Sequence, residues 1–283
     1  MTRRIYAMDT SFYTSLGSYG LEARCEMLRE LGYDATYVTL WSDEAWAEVP
    51  TLASVKETYG LDVAAVYATL DIAAGWDDQG NRRIRELVDT LAGCDTVELS
   101  VRSTDPGMPL SDPAGDAAAS ALLADLLAVA ERRGITLALY PHIRFWMERV
   151  EDAVRLCRAI DSQHLRMVFA TYHWYAADGK NLAAAVEAAA PFLALANVCG
   201  SRRFDNGSGL PATIQPVDEG ELDVFAVVGR LRAAGYDGPL GVQGYSVAGD
   251  VYAKLRRSLE ALRDIERRVD DHPAWADLRP PHI

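Results

Sequence analysis

The feature of this chain that most narrows its fold is a joint that recurs along it: a helical stretch, a glycine, then a short apolar or β-branched run. Leu28-Arg29-Glu30-Leu31-Gly32-Tyr33-Asp34 and Leu231-Arg232-Ala233-Ala234-Gly235-Tyr236-Asp237 echo one another, and Tyr59-Gly60 and Arg133-Gly134 repeat the punctuation. Glycine takes the left-handed conformation that stops a helix, so each joint turns a helix into the next strand. The strand candidates are Ile5 to Met8, Ala35 to Leu40, Val63 to Thr69, Thr96 to Val101, Thr136 to Tyr140, Leu165 to Ala170, Leu193 to Val198 and Leu240 to Gln243. Helical patterns lie between them, near Leu21 to Leu31, Glu44 to Thr58, Asn81 to Leu91, Asp116 to Arg133, Val150 to Ile160, Leu182 to Ala189, Leu222 to Ala234 and Asp250 to Arg268. Alternation of this kind over 283 residues predicts an α/β chain that forms one (β/α)8 TIM barrel across residues 1–283. Pro273, Pro280 and Pro281 predict an irregular tail over 270–283.

Charge narrows the partners. The 41 acidic residues against 28 Lys and Arg give a net charge of -13, which repels phosphate backbones and anionic membranes, so neither nucleic acid nor membrane is expected as a partner. The N-terminal segment runs into a strand pattern without a signal-peptide-like apolar stretch, which gives a cytoplasmic expectation. Cys25, Cys94, Cys157 and Cys199 are far apart and read as free thiols.

Barrel chemistry sits where the strands end at their C-terminal edge. Four segments stand out there: Leu139-Tyr140-Pro141-His142, Phe169-Ala170-Thr171-Tyr172-His173-Trp174, Asn197-Val198-Cys199-Gly200 and Val242-Gln243-Gly244-Tyr245. Their order and spacing resemble the xylose isomerase-like superfamily of sugar isomerases and epimerases, with the best match over Gly134 to Leu262. That resemblance implies one divalent ion held by a Glu, an Asp, a His and a second Glu, at positions occupied here by Tyr140, Ala170, Asn197 and Gln243. The companion histidine of the Asp-x-x-His motif is retained as His173.

Hard dications take oxygen ligands and need negative charge. A phenol with a usual pKa of about 10, a methyl group and two carboxamides supply none. No cofactor is therefore expected; the alternative is a weaker ion among His142, His173, Asn197 and Gln243. The glutamate acid-base pair of the family's epimerases has no counterpart at Tyr140 and Gln243 either.

Proton transfer then falls to His142 and His173, with Tyr140 as a donor to a developing enolate oxygen. Glu98, alternating with apolar residues, is expected to face into the barrel, with Arg102 as its counter-charge. Asp9 and Asp71 are weaker versions of the same idea. Asn197, Gln243, Arg102, Arg202, Trp174 and Tyr245 are candidates for holding substrate, and the Gly200 to Gly209 loop, with Arg202 and Arg203, has the composition of a phosphate site. Trp41, Tyr67 and Trp146 offer further ring-stacking faces. The resulting expectation is a metal-independent isomerase, epimerase or lyase acting on a sugar-like polyhydroxylated carbonyl compound. Two alternatives stand beside it: a non-catalytic carbohydrate-binding or regulatory subunit, and a metalloenzyme with a relocated ion. Homo-oligomers are frequent in the family, which makes self-association an expectation too.

Overall fold

The computed structural model describes residues 3–204, 211–245 and 249–278. Eight parallel strands close into a barrel: β1 (Ile5–Ala7), β2 (Ala35–Thr39), β3 (Asp62–Asp71), β4 (Thr96–Arg102), β5 (Thr136–Leu139), β6 (Leu165–Ala170), β7 (Leu193–Val198) and β8 (Leu240–Val242). Each strand pairs with its sequence neighbours, and β1 closes the ring onto β8 through Ile5–Leu240 and Ala7–Val242. Outside lie α1 (Leu21–Leu31), α2 (Asp43–Glu48), α3 (Val55–Tyr59), α4 (Gln79–Thr90), α5 (Asp116–Arg133), α6 (Val150–Ile160), α7 (Thr171–Ala176), α8 (Leu182–Ala189), α9 (Val224–Ala233) and α10 (Val251–Asp271). The predicted single barrel is the fold observed, and Gly32, Gly60, Gly134 and Gly235 all take positive φ at their helix ends.

Two local expectations are corrected, and one helix needs comment. The helix predicted over Glu44 to Thr58 is split into α2, a 3-10 segment Val49–Ser54 and α3, because Pro50 removes a backbone donor at that point. The final helix runs on to Asp271, and the tail folds back in a 3-10 turn, Pro273–Ala276, that seats Ala276 against Gly229 of α9; Pro280 and Pro281 lie outside the described residues. α5 is long and apolar enough to cross a membrane by composition, yet it buries Leu122, Leu123, Leu126 and Leu127 as an outer helix of the barrel.

The barrel interior alternates small and large residues. Ala35, Ala65, Ala138 and Ala170 leave room for Tyr6, Tyr37, Tyr67 and Tyr140, all nearly inaccessible. Tyr6 and Tyr37 stack with ring centroids 5.9 Å apart, and a Cβ on Gly241 would fall 2.5 Å from the Tyr6 ring, so β8 needs glycine there. Glu98 lies wholly buried among these rings, as its alternation in β4 predicts. Its partner is not Arg102. Strand register sets Arg102 beside Asp71, where Nε reaches the carboxylate at 3.1 Å, whereas Glu98 Oε2 accepts from the Tyr37 hydroxyl at 2.5 Å and Oε1 has no partner among the described residues. With no cation to favour the carboxylate, burial pushes its pKa up to about 8.

This acid makes stability depend on pH in a defined direction. The unfolded chain ionises Glu98 near 4.5, while the folded chain keeps the proton up to about 8, so the folded state binds more protons in that window and loses stability as pH rises through it. Glu98→Gln has no proton to lose. We predict that urea unfolding will show the variant gaining on the parent between pH 4.5 and pH 8, by on the order of 3 kcal/mol at the upper end, with no further change above it. A pH-independent gap would mean that Glu98 stays ionised in the barrel.

Candidate active site

Where the strands end, the barrel opens into a cavity of about 300 Å³. Six aromatic rings are set in its wall: Trp41, Tyr67, Tyr140, Phe145, Tyr172 and Tyr245. The polar groups facing it come from Thr10, Thr39, His142, His173 and Gln243. No Asp, Glu, Lys or Arg lines it among the described residues. In a chain with a net charge of -13, the described residues thus form an uncharged, ring-lined wall, suited to a neutral ligand with both hydroxyls and apolar faces.

The two histidines reach this wall by different routes. His142 follows β5, in a loop pinned by His142 N–H to Met147 O at 2.9 Å and by Met147 N–H to Val101 O at 3.0 Å. His173 sits on α7, one helical turn that springs directly from the end of β6 and is not foreseen from the sequence. Their rings lie 4.1 Å apart, between Phe145, stacked on His142 at 4.1 Å, and Tyr140, edge-on to His173 at 5.2 Å.

One residue fixes the protons on both rings. The Ile143 N–H donates to His173 Nδ1 at 3.2 Å, so neutral His173 carries its proton on Nε2. The Ile143 carbonyl lies 2.7 Å from His142 Nδ1 and can only accept, so neutral His142 carries its proton on Nδ1 and leaves the Nε2 lone pair free. Burial lowers the pKa of His142 to about 4 and that of His173 well below the usual range, where the neighbouring His142 also opposes a second charge. At neutral pH the pair is uncharged, with an acceptor on one ring and a donor on the other.

Beside them, Gln243 Nε2 donates to the Tyr140 hydroxyl at 3.4 Å, so the phenol oxygen accepts in that bond and keeps its own proton to donate. Burial raises Tyr140 well above the usual phenol pKa, and Glu98 adds to the effect. Asn197 lies below, fully buried, with Oδ1 accepting from the Tyr6 hydroxyl.

These donors do not fit a divalent ion. Ala170 has no ligand atom, Tyr140 holds its proton, and Asn197 Oδ1 is already engaged. His173 cannot offer Nε2 while its Nδ1 accepts from Ile143, which leaves His142 as the single free nitrogen. No group of three His, Cys, Asp or Glu side chains within metal-binding reach occurs among the described residues.

Of the residues singled out from the sequence, His142, His173, Tyr140, Gln243 and Tyr245 meet at this cavity, as do Trp41 and Tyr67. Glu98 and Asn197 lie beneath it, off the wall. Arg102 stays on Asp71, and Asp9 is bound to Thr39, with the Arg24 guanidinium 3.8 Å away. Trp174 points away and packs on Phe169, and Trp146 is buried with Nε1 on Asp112 O. Arg202 is exposed off the cavity, and Arg203 is tied to Asp178 at 2.8 Å and to Tyr175 O at 2.9 Å, so neither is placed to meet a phosphate there. Asp205 to Gly209 lie outside the described residues. Sequence reasoning missed Thr10, Thr39, Ile143, Phe145, Tyr172 and Ile214. Of these, Tyr172 carried a signal through its place in the segment singled out after β6, and Ile214 through its place in the long loop after β7.

The lowered histidine pKa values set a second pH dependence, opposite in sign to that of Glu98. Between about 4 and 6.5 the unfolded chain protonates a histidine that folded His142 leaves neutral, so stability falls as pH drops through that window. Against His142→Gln, the parent should lose about 2 kcal/mol between pH 6.5 and 4.5 in chemical unfolding. An unchanged gap would show that His142 titrates normally.

A family model described as a xylose isomerase-like TIM barrel matches residues 25–265. No curated protein sequence is detectably similar to the chain. Among solved structures, an L-ribulose 3-epimerase superposes with a TM-score of 0.76 at 16% identity, covering 99% of this chain and 100% of that one. The 3-keto-D-glucoside 4-epimerase YcjR of E. coli gives 0.72 at 20% identity, over 93% and 100%. The IolI protein, solved with a zinc atom, gives 0.75 at 16% identity, over 93% and 97%. With the barrel closed and the family model spanning nearly its whole length, the chain belongs to the xylose isomerase-like TIM barrel family.

Proposed function

We propose that this chain is an isomerase acting on a small, uncharged, sugar-like hydroxycarbonyl compound, moving a proton with its own side chains and without a metal ion. The observation that carries this reading is the opposed pair of tautomers at His142 and His173 on the cavity wall. His142 Nε2 takes the proton from the carbon beside the carbonyl; the C–H electron pair becomes the C=C bond, and charge moves onto the carbonyl oxygen. His173 Nε2–H and the Tyr140 hydroxyl donate to that oxygen. A neutral imidazole suits this task, because its proton affinity lies nearer to that of an enolate than an imidazolium's does. The proton then returns from His142 to the neighbouring carbon, while the hydroxyl proton passes between the two oxygens. With one base on one wall, return to the same face favours isomerisation over inversion of a single centre.

Among the described residues the wall carries no charge, which supports an unphosphorylated substrate, since an anion would meet no cation among them. The sugar epimerases among the structural relatives point to the same substrate class by analogy of fold.

A second reading has its own observation. A base with a pKa of about 4 is weak, and among the described residues no carboxylate stands on the wall to strengthen it, which suits a pocket that binds sugar without turnover. One experiment separates the two: a panel of unphosphorylated aldoses and ketoses incubated with the protein in deuterium oxide, followed by NMR. Isomerisation predicts carbon-bound deuterium at the position next to the carbonyl, lost by about 100-fold or more in His142→Gln. Ligand-induced shifts without exchange across the panel would establish the binding reading instead. Exchange should also survive a chelator, and protein incubated with manganese, cobalt or zinc and then desalted should hold none in stoichiometric amount. Activity restored only by a metal would refute the mechanism.

A further inference from the structure

Four described residues other than glycine take a positive φ, and two of them, Asp161 and Asp178, are of a type that tolerates it. Arg144, at φ 68°, is a bulky residue for which this backbone is costly. It directly follows Ile143, whose carbonyl sets the His142 proton. The Phe145 N–H donates to His142 O at 3.0 Å, so residues 142–145 form a β-turn with Arg144 in its third place. Positive φ there, without it at Ile143, makes the turn type II. A type I turn closes with the same hydrogen bond, returns Arg144 to negative φ, and differs mainly by rotating the 143–144 peptide through roughly half a turn. The surrounding backbone is tied down by His142 N–H on Met147 O at 2.9 Å and Ser111 N–H on Trp146 O at 2.7 Å, so the central peptide is the element with two settings.

The hydrogen bond at His142 does not choose between them. In the observed setting Ile143 O accepts from His142 Nδ1–H at 2.7 Å. Rotation brings the Arg144 N–H round to that side, and the imidazole answers by moving its proton to Nε2 and accepting at Nδ1, so one bond replaces another. The choice falls to the outer side of the turn. There Glu148 Oε1 accepts from the Arg144 N–H at 2.9 Å, a bond to a carboxylate that the rotated peptide cannot make. We infer that Glu148 is a positioning residue: it holds the 143–144 peptide in its strained setting and thereby keeps the Nε2 lone pair of His142 free. Glu148 does not line the cavity and acts through the backbone alone. Its effect on catalysis rests on the proton-transfer reading; its effect on the tautomer does not.

Ring-¹⁵N NMR of the full-length protein separates this role from a merely structural one. Glu148→Ala should turn His142 from predominantly Nδ1–H to predominantly Nε2–H. His173 should not change, because the Ile143 N–H that it accepts from belongs to the preceding peptide. Glu148→Gln keeps an accepting oxygen and should keep the parent pattern. Adding Arg144→Gly to Glu148→Ala should restore that pattern, since glycine takes left-handed backbone without strain. Deuterium exchange into substrate should fall about 10-fold or more in Glu148→Ala and recover in the double variant. A parent protein that catalyses no exchange would refute the proton-transfer reading while the tautomer test stands. His142 remaining Nδ1–H in Glu148→Ala, a change at His173 as well, or no recovery with Arg144→Gly would each overturn the inference.

Discussion

The Ile143 peptide is the point on which the site turns. Its N–H and its carbonyl meet the Nδ1 atoms of two different histidines, and because one group can only donate and the other only accept, the rings are forced into opposite tautomers. Neither ring has to titrate to acquire its role. Burial does the rest, keeping both neutral where a second charge at 4.1 Å would be costly. The loop that carries Ile143 is in turn anchored to β4 through Met147 and Val101, so the barrel wall itself sets the histidine geometry.

The same economy of charge runs down the barrel. Tyr6, Tyr37, Tyr67 and Tyr140 fill the interior that small alanines leave open, and their hydroxyls bond to Asn197, Glu98, Ser100 and Gln243. Glu98, the acid in this column, is surrounded by phenols rather than cations, and burial favours its proton. A divalent ion needs anionic oxygens that can give up their other partners. Here the oxygens are neutral, already engaged, or absent, as at Ala170. The described wall of the barrel mouth is therefore built from aromatic rings and neutral polar groups, with Tyr140, Ala170, Asn197 and Gln243 bringing no carboxylate to it.

Much of the architecture could be read from residues because its causes are local. Glycine at Gly32, Gly60, Gly134 and Gly235 stops a helix wherever it falls in the chain, and the alternation around Glu98 sends that side chain inward whatever lies across the barrel. What could not be read depends on register and on backbone atoms. Arg102 pairs with Asp71 because β3 and β4 align those residues, a fact invisible in either strand alone. Trp174 belongs to a one-turn helix, which rotates it onto Phe169 while His173 turns inward. The site's deciding residue, Ile143, contributes through its peptide, and no side-chain pattern announces that.

The direct test is the proton position on each imidazole, read from two-bond ¹H–¹⁵N correlations of ring-labelled protein at neutral pH, with His142→Gln and His173→Gln to assign the signals. The account requires His142 to appear as the Nδ1–H tautomer and His173 as the Nε2–H tautomer, both uncharged. Two rings in the same tautomer, or an imidazolium at either position, would contradict it.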